Sequence, residues 1–218
     1  MGRSKRSTIS NKISSFIKSI EIQPFILLAR PKKNIYREEK AKKKFFSDMK
    51  FIIDRGLLNL EIPWEDNQNW CDLVSDLRSS FPKIQLGSAS LLNKKSIDDS
   101  IRLGLDFSMM RFWQKDLYIY SKKNNYLLIP GLINNVQFNS ANSSKCKIIK
   151  IFPVENKEDL LDIKLNQKVC FIAAGGISIN DLNKFQSLGF KGIVIGSKGY
   201  DGDQFDPKII NYLKFNFK

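Results

Sequence analysis

Histidine is absent from all 218 residues. Without an imidazole there is no Ser-His-Asp or Cys-His nucleophile, no His-ligated zinc site and no His general base. Acid, base or nucleophile chemistry therefore falls to Lys, Asp, Glu, Cys, Tyr or a bound cofactor. Cysteine is scarce too: Cys71, Cys146 and Cys170 are odd in number and far apart, so they form neither a CxxC metal motif nor a disulfide framework. No CxxC or His-ligated metal site is expected, and a reducing, cytoplasmic setting fits this cysteine usage. The longest strongly apolar run, Phe25 to Ala29, is far short of the roughly 20 residues of a membrane-spanning helix, so no membrane partner is expected.

What is present describes a globular chain: 42% hydrophobic, 11% aromatic and 27% charged residues, enough for a sizeable core. The net charge is +14, but the first 50 residues hold 14 basic against 4 acidic side chains. The run Lys40, Lys42, Lys43 and Lys44 lies beside Glu38 and Glu39, which reads as a solvated helix face rather than a phosphate-tracking stripe. No RRM, KH, zinc-finger or helix-turn-helix signature accompanies it, so no nucleic-acid partner is expected. The first 20 residues lack acids and are rich in Ser, superficially like a transit peptide. Ile13, Phe16, Ile17 and Ile20 nevertheless recur at helical spacing, which favours a short amphipathic helix after a loose stretch at residues 1–8.

From residue 24 on, apolar β-rich runs alternate with helical patterns. The expected strands are Phe25–Arg30, Leu57–Ile62, Lys83–Ser88, Leu105–Met109, Tyr126–Ile129, Lys147–Phe152, Lys168–Ala173 and Gly192–Ile195. The expected helices are Arg37–Asp54, Asn69–Ser80, Ser96–Leu103, Gln114–Lys122, Asn134–Asn142, Lys157–Leu161, Asn180–Leu188 and Pro207–Phe215. Parallel neighbours need long return connections, so this alternation predicts an α/β fold with parallel strands. A doubly wound open sheet is the other closure, but eight units without a GxGxxG after the first strand favour a (β/α)8 TIM barrel with a short N-terminal helix. Gly56, Gly104 and Gly189 stand where a helix must stop before a strand starts. No Gly/Ser- or Pro-rich linker divides the chain, so the expected organisation is a basic segment at 1–20 and one barrel at 21–218.

Barrel active sites lie at the C-terminal strand ends, where Glu61 and Lys150 stand out. Lys150, among Ile148, Ile149, Ile151 and Phe152, is expected to be desolvated, which lowers its pKa and yields an amine able to attack a carbonyl. Periodicity alone equally allows a lysine that pairs with a barrel Glu or snorkels to the rim. Gly175-Gly176 and Gly196-Ser197 follow the last two strands, where many such barrels bind phosphate through backbone N–H groups; ordinary tight turns are the other reading of these glycines.

Taken in order, Leu60-Glu61-Ile62, Gly87-Ser88-Ala89-Ser90, Ile129-Pro130-Gly131, Lys150-Ile151-Phe152-Pro153, Gly175-Gly176-Ile177-Ser178 and Ile195-Gly196-Ser197 resemble the class I 2-keto-3-deoxy-6-phosphogluconate (KDPG) and 4-hydroxy-2-oxoglutarate aldolases, from about Pro24 to Tyr200. The resemblance implies a lyase with no metal or cofactor that releases pyruvate and an aldehyde through a Schiff base on Lys150, with Glu61 moving protons. It further implies that Ser90, Arg111, Pro130, Gly175, Gly176, Gly196 and Ser197 bind a keto acid carrying a distal phosphate or carboxylate, and that the protein is a homotrimer. The chain departs from the family pattern at Pro63-Trp64-Glu65, where an Arg is usual, at Met110-Arg111-Phe112, and at Ala174 in place of Thr. Arg111 or Arg30 is then left to supply the missing cation. These departures also admit a barrel that binds phosphate or keto acid without turning it over.

Overall fold

The computed structural model describes residues 8–154 and 168–217. The chain opens with helix α1 (Ile9–Ile22), capped by Thr8, whose side chain accepts from the Asn11 N–H. Then follow β1 (Phe25–Leu28), α2 (Glu39–Ile53), β2 (Asn59–Pro63), α3 (Gln68–Ser80), β3 (Gln85–Leu91), α4 (Lys94–Arg102), β4 (Phe107–Met110) and α5 (Lys115–Lys123). The second half holds β5 (Leu128–Ile129), β6 (Gly131–Leu132), α6 (Asn135–Ser143), β7 (Ile148–Ile151), β8 (Cys170–Ala174), α7 (Leu182–Ser187), β9 (Gly192–Ile195) and α8 (Pro207–Asn216). The helix expected at Lys157–Leu161 and most of the loose stretch at residues 1–8 lie outside the described residues.

All strand pairs are parallel, in the order β5-β4-β3-β2-β1-β9-β8-β7-β6. The two ends of that list, β5 and β6, are consecutive pieces of one chain segment separated only by Pro130, so the sheet closes into a TIM barrel with eight strand positions. Proline has no N–H to give a ladder, which is why the segment is split there. Its carbonyl still accepts from the Lys150 N–H at 2.9 Å. At Gly131 a Cβ would lie 2.5 Å from the Met110 carbonyl oxygen, so the seam requires glycine.

The unit boundaries follow local chemistry. Asn67, Asn93 and Asn134 each accept a backbone N–H at the start of α3, α4 and α6. Gly56, Gly104 and Gly189 all take positive φ beyond α2, α4 and α7, as the sequence predicts, while Asn125 and Lys145 adopt the same conformation after α5 and α6. The lysines of α2 are held by neighbouring acids: Lys42 with Asp76, Lys43 with Glu39, Lys44 with Asp48 and Lys50 with Asp54.

Alternate strand residues fill the barrel. Ile26, Leu28, Ala89, Phe107, Met109, Ile129, Ile148, Ile172, Ala174 and Val194 pack with Phe16 and Ile20 of α1. The Phe16 ring meets Phe107 edge-on, centroids 4.8 Å apart, and Ser19 donates to Asn59 Oδ1 at 2.7 Å. With its apolar face and these hydrogen bonds, α1 caps the end of the barrel opposite the C-terminal strand ends. The floor of the cavity above is therefore solid side chain. No described helix is long and apolar enough to cross a membrane.

Candidate active site

Glu61 comes from β2 and Lys150 from β7, which are four positions apart by either route around the eight-position barrel. Inward-facing residues on opposite strands point at one another, and both line a cavity of about 340 Å³ at the C-terminal strand ends. Its wall also includes Arg30, Ser90, Arg111, Phe152, Gly175, Gly176, Gly196, Ser197 and Lys198.

Both ionisable groups are withdrawn from water, Glu61 at 1% and Lys150 at 8% exposure. Burial pulls Lys150 down from 10.5 to about 8; the Glu61 charge opposes that shift and Arg30 adds to it. Burial likewise pushes Glu61 up from 4.5 to about 7, against the pull of Lys150 and Arg30. Glu61 Oε1 has no hydrogen-bond partner among the described residues. An orphaned buried carboxyl oxygen is costly, and this one belongs to a residue that lines the cavity. Lys150 Nζ lies 5.8 Å above the centre of the Phe152 ring. Near neutral pH the site thus holds an amine that readily becomes neutral and a carboxyl that readily gives or takes a proton.

The backbone is specialised around this pair. Ser90 has φ 64° where β3 shifts register between Ser88 and Leu91, which turns its side chain to the cavity wall. Non-glycine residues hold that conformation at a cost, and such strain concentrates at functional sites. Gly175 has φ 111°, and a Cβ there would approach Pro153 to 3.1 Å. Arg30 follows Ala29, whose N–H donates to the Glu61 carbonyl at 2.9 Å.

Of the residues singled out in the sequence, Glu61, Lys150, Ser90, Arg111, Gly175, Gly176, Gly196 and Ser197 all line the cavity. Pro130 does not: it is buried in the barrel wall, where its roles are to split a strand and to accept the Lys150 N–H. Glu65 also lies outside the lining, in a separate depression with Tyr36, Arg37 and Asn67. There Asn67 donates to Glu65 Oε2 at 3.1 Å, and burial together with Glu65 pushes the Tyr36 phenol up. Lys198 was not singled out, although its place directly after Gly196-Ser197 was the available signal.

Three solved structures illustrate the likeness in fold. A KDPG aldolase of Zymomonas mobilis ZM4, solved with 3-phosphoglycerate, superposes with TM-score 0.72 at 21% identity, covering 92% of this chain and 94% of that one. A structure described as native KDPGal gives 0.71 at 19% identity, over 89% and 92%. A Legionella pneumophila KDPG aldolase, holding pyruvate as a covalent carbinolamine, gives 0.70 at 16% identity, over 97% and 96%. No curated protein matches by sequence at a significant level. Residues 35–208 do match the sequence family of KDPG and KHG aldolases, four-fifths of the chain. A barrel of this topology with a family match over most of its length makes this chain a member of the KDPG and KHG aldolase family.

Proposed function

We propose that the protein is a class I aldolase that cleaves a 2-keto-3-deoxy or 4-hydroxy-2-keto acid to pyruvate and an aldehyde. The observation that carries this reading is the buried Lys150 and Glu61 on opposite barrel strands, facing one cavity with pKa values of about 8 and about 7. Lys150 Nζ, once neutral, attacks the C2 carbonyl. The carbinolamine loses water to give a protonated imine, an electron sink for the next step. Glu61 takes the proton of the C4 hydroxyl, the C3–C4 bond breaks, and its electron pair enters the enamine. Reprotonation at C3 and hydrolysis then release pyruvate and restore the amine. One carboxyl group can serve as acid and base in turn, provided its pKa lies near the working pH. Ser90 and Arg111 are proposed to hold the keto-acid carboxylate, and Gly175, Gly176, Gly196 and Ser197 the distal anion. Pro130 acts through the wall rather than on substrate.

The relatives support the assignment on their own account: the Legionella enzyme was captured with a pyruvate carbinolamine and the Zymomonas enzyme with 3-phosphoglycerate. The binding-only alternative loses one of its motives, because Glu65 is turned away from the cavity while Arg111 lines it. A cytoplasmic location is supported by three buried free thiols. A homotrimer is also part of the proposal; exposed Leu92, Phe112, Ile133 and Val136, near the ends of β3, β4 and β6, offer apolar surface for it.

The deciding experiment is peptide mass spectrometry after incubation with pyruvate and borohydride, with a no-pyruvate control. A pyruvate adduct on Lys150 is expected. Its absence from neutral to mildly alkaline pH, or undiminished cleavage by Lys150→Met, refutes the reading.

A further inference from the structure

Among the described residues, four cations and a single carboxylate line the cavity: Arg30, Arg111, Lys150 and Lys198 against Glu61. Among the described residues no carboxylate forms an ion pair with Arg30, Arg111 or Lys198. Asp181 feels the Lys198 charge, but its carboxylate is already committed to the Ser178 N–H and hydroxyl, both at 2.9 Å. Elsewhere on this surface lysines do find acids, as along α2. Like charges around one cavity repel one another, and an anionic ligand entering it relieves the repulsion.

With Glu61 ionised and Lys150 protonated, the described part of the lining carries three net positive charges. A keto acid with a distal carboxylate brings two negative charges, and one with a distal phosphate dianion brings three. The charge of the described lining matches the phosphorylated class. Lys198 decides the difference by its position: β8, β9 and β1 are neighbours, so Gly175-Gly176, Ser197-Lys198 and Arg30 form one sector of the rim. Arg111 stands at the end of β4, on the other side of Glu61.

We infer that Lys198 is the residue that makes the distal end of this cavity selective for a phosphate dianion over a carboxylate. The inference rests on the aldolase reading for its substrates, but not for its electrostatics. Coulomb energy is linear in ligand charge, so a cation that improves binding of a monoanion by some factor improves binding of a dianion by the square of that factor. An exposed lysine worth about threefold to a distal carboxylate is then worth about tenfold to a distal phosphate.

The test compares wild type with Lys198→Met, Lys198→Arg and Lys208→Met, the last an exposed lysine outside the cavity lining. At pH 8, inorganic phosphate and acetate are titrated by thermal shift, and KM is measured for a phosphorylated 2-keto-3-deoxy acid and for 4-hydroxy-2-oxoglutarate. Lys198→Met should weaken phosphate and the phosphorylated substrate about tenfold and acetate and the dicarboxylate about threefold or less. Lys198→Arg and Lys208→Met should leave the preference in place. Equal losses for mono- and dianions, no loss, or a wild type that does not bind phosphate overturns the inference. Lys198-dependent phosphate binding without cleavage of either substrate rejects the aldolase reading alone. Cleavage with no Lys198 dependence rejects the inference alone.

Discussion

Replacing Lys150 with Met should strengthen the fold while removing the proposed nucleophile. Lys150 titrates at 10.5 when exposed and at about 8 in the folded barrel, where desolvation is the main cause. At about 1.4 kcal/mol per tenfold, that gap is a folding cost of about 3 kcal/mol at neutral pH. The direction follows from proton counting. Between about 8 and 10.5 the unfolded chain binds the proton and the folded one does not, so wild-type stability rises with pH across that window. Below about pH 8 both states are protonated and the full cost is present; above 10.5 it vanishes. Methionine fills a similar volume without a charge, so Lys150→Met should gain about 3 kcal/mol at pH 7. Loss of the ammonium beside Glu61 returns only a small part of that, because a carboxyl near 7 is already about half protonated there. In urea, with an m-value of about 2 to 3 kcal/mol/M, the midpoint should rise by about 1 M at pH 7. The gain should shrink steadily from pH 8 to pH 10. A variant less stable than wild type at pH 7, or a gain that ignores pH, would show that Lys150 is not desolvated and would remove the physical basis for its nucleophilicity.

Two further outcomes follow from the same site. Glu61 raises the Lys150 pKa, so Glu61→Gln should move the rising limb of the borohydride-trapping pH profile to lower pH, with turnover falling roughly 100- to 10,000-fold; unimpaired turnover would exclude Glu61 as the proton carrier. Ser90→Gly relieves a positive φ and should leave stability unchanged or up to about 1 kcal/mol higher, while the pyruvate concentration that half-saturates trapping rises. Unaltered half-saturation in that variant would remove Ser90 from the carboxylate subsite.

The alternation of strands and helices was legible because each signal is local. A helix must end before a strand begins, and Gly56, Gly104 and Gly189 mark those ends by their left-handed backbone. The strand ends were read less well, since Leu91 and Leu132 extend beyond the expected runs and Pro130 cuts a strand in two. Pairing across a barrel decides those limits, and a run of apolar residues does not record its partner. The candidate site divides in the same way. Lys150 and Glu61 are conspicuous as charges within apolar strands, whereas Lys198 is one exposed lysine among many.

The sequence by itself determined the chemistry on offer: no imidazole, a lysine in an apolar strand, one acid at a strand end and glycines after the last two strands. Tertiary structure alone decided how these groups meet. Closure at Pro130 sets β2 opposite β7, so Glu61 and Lys150 share one desolvated space and shift each other's titration. The same closure brings Arg30 and Lys198 to neighbouring rim positions, leaves Glu65 in a separate depression with Tyr36 and keeps Pro130 inside the wall. Desolvation and Coulomb coupling depend on distances through space, and only the closed barrel sets those distances.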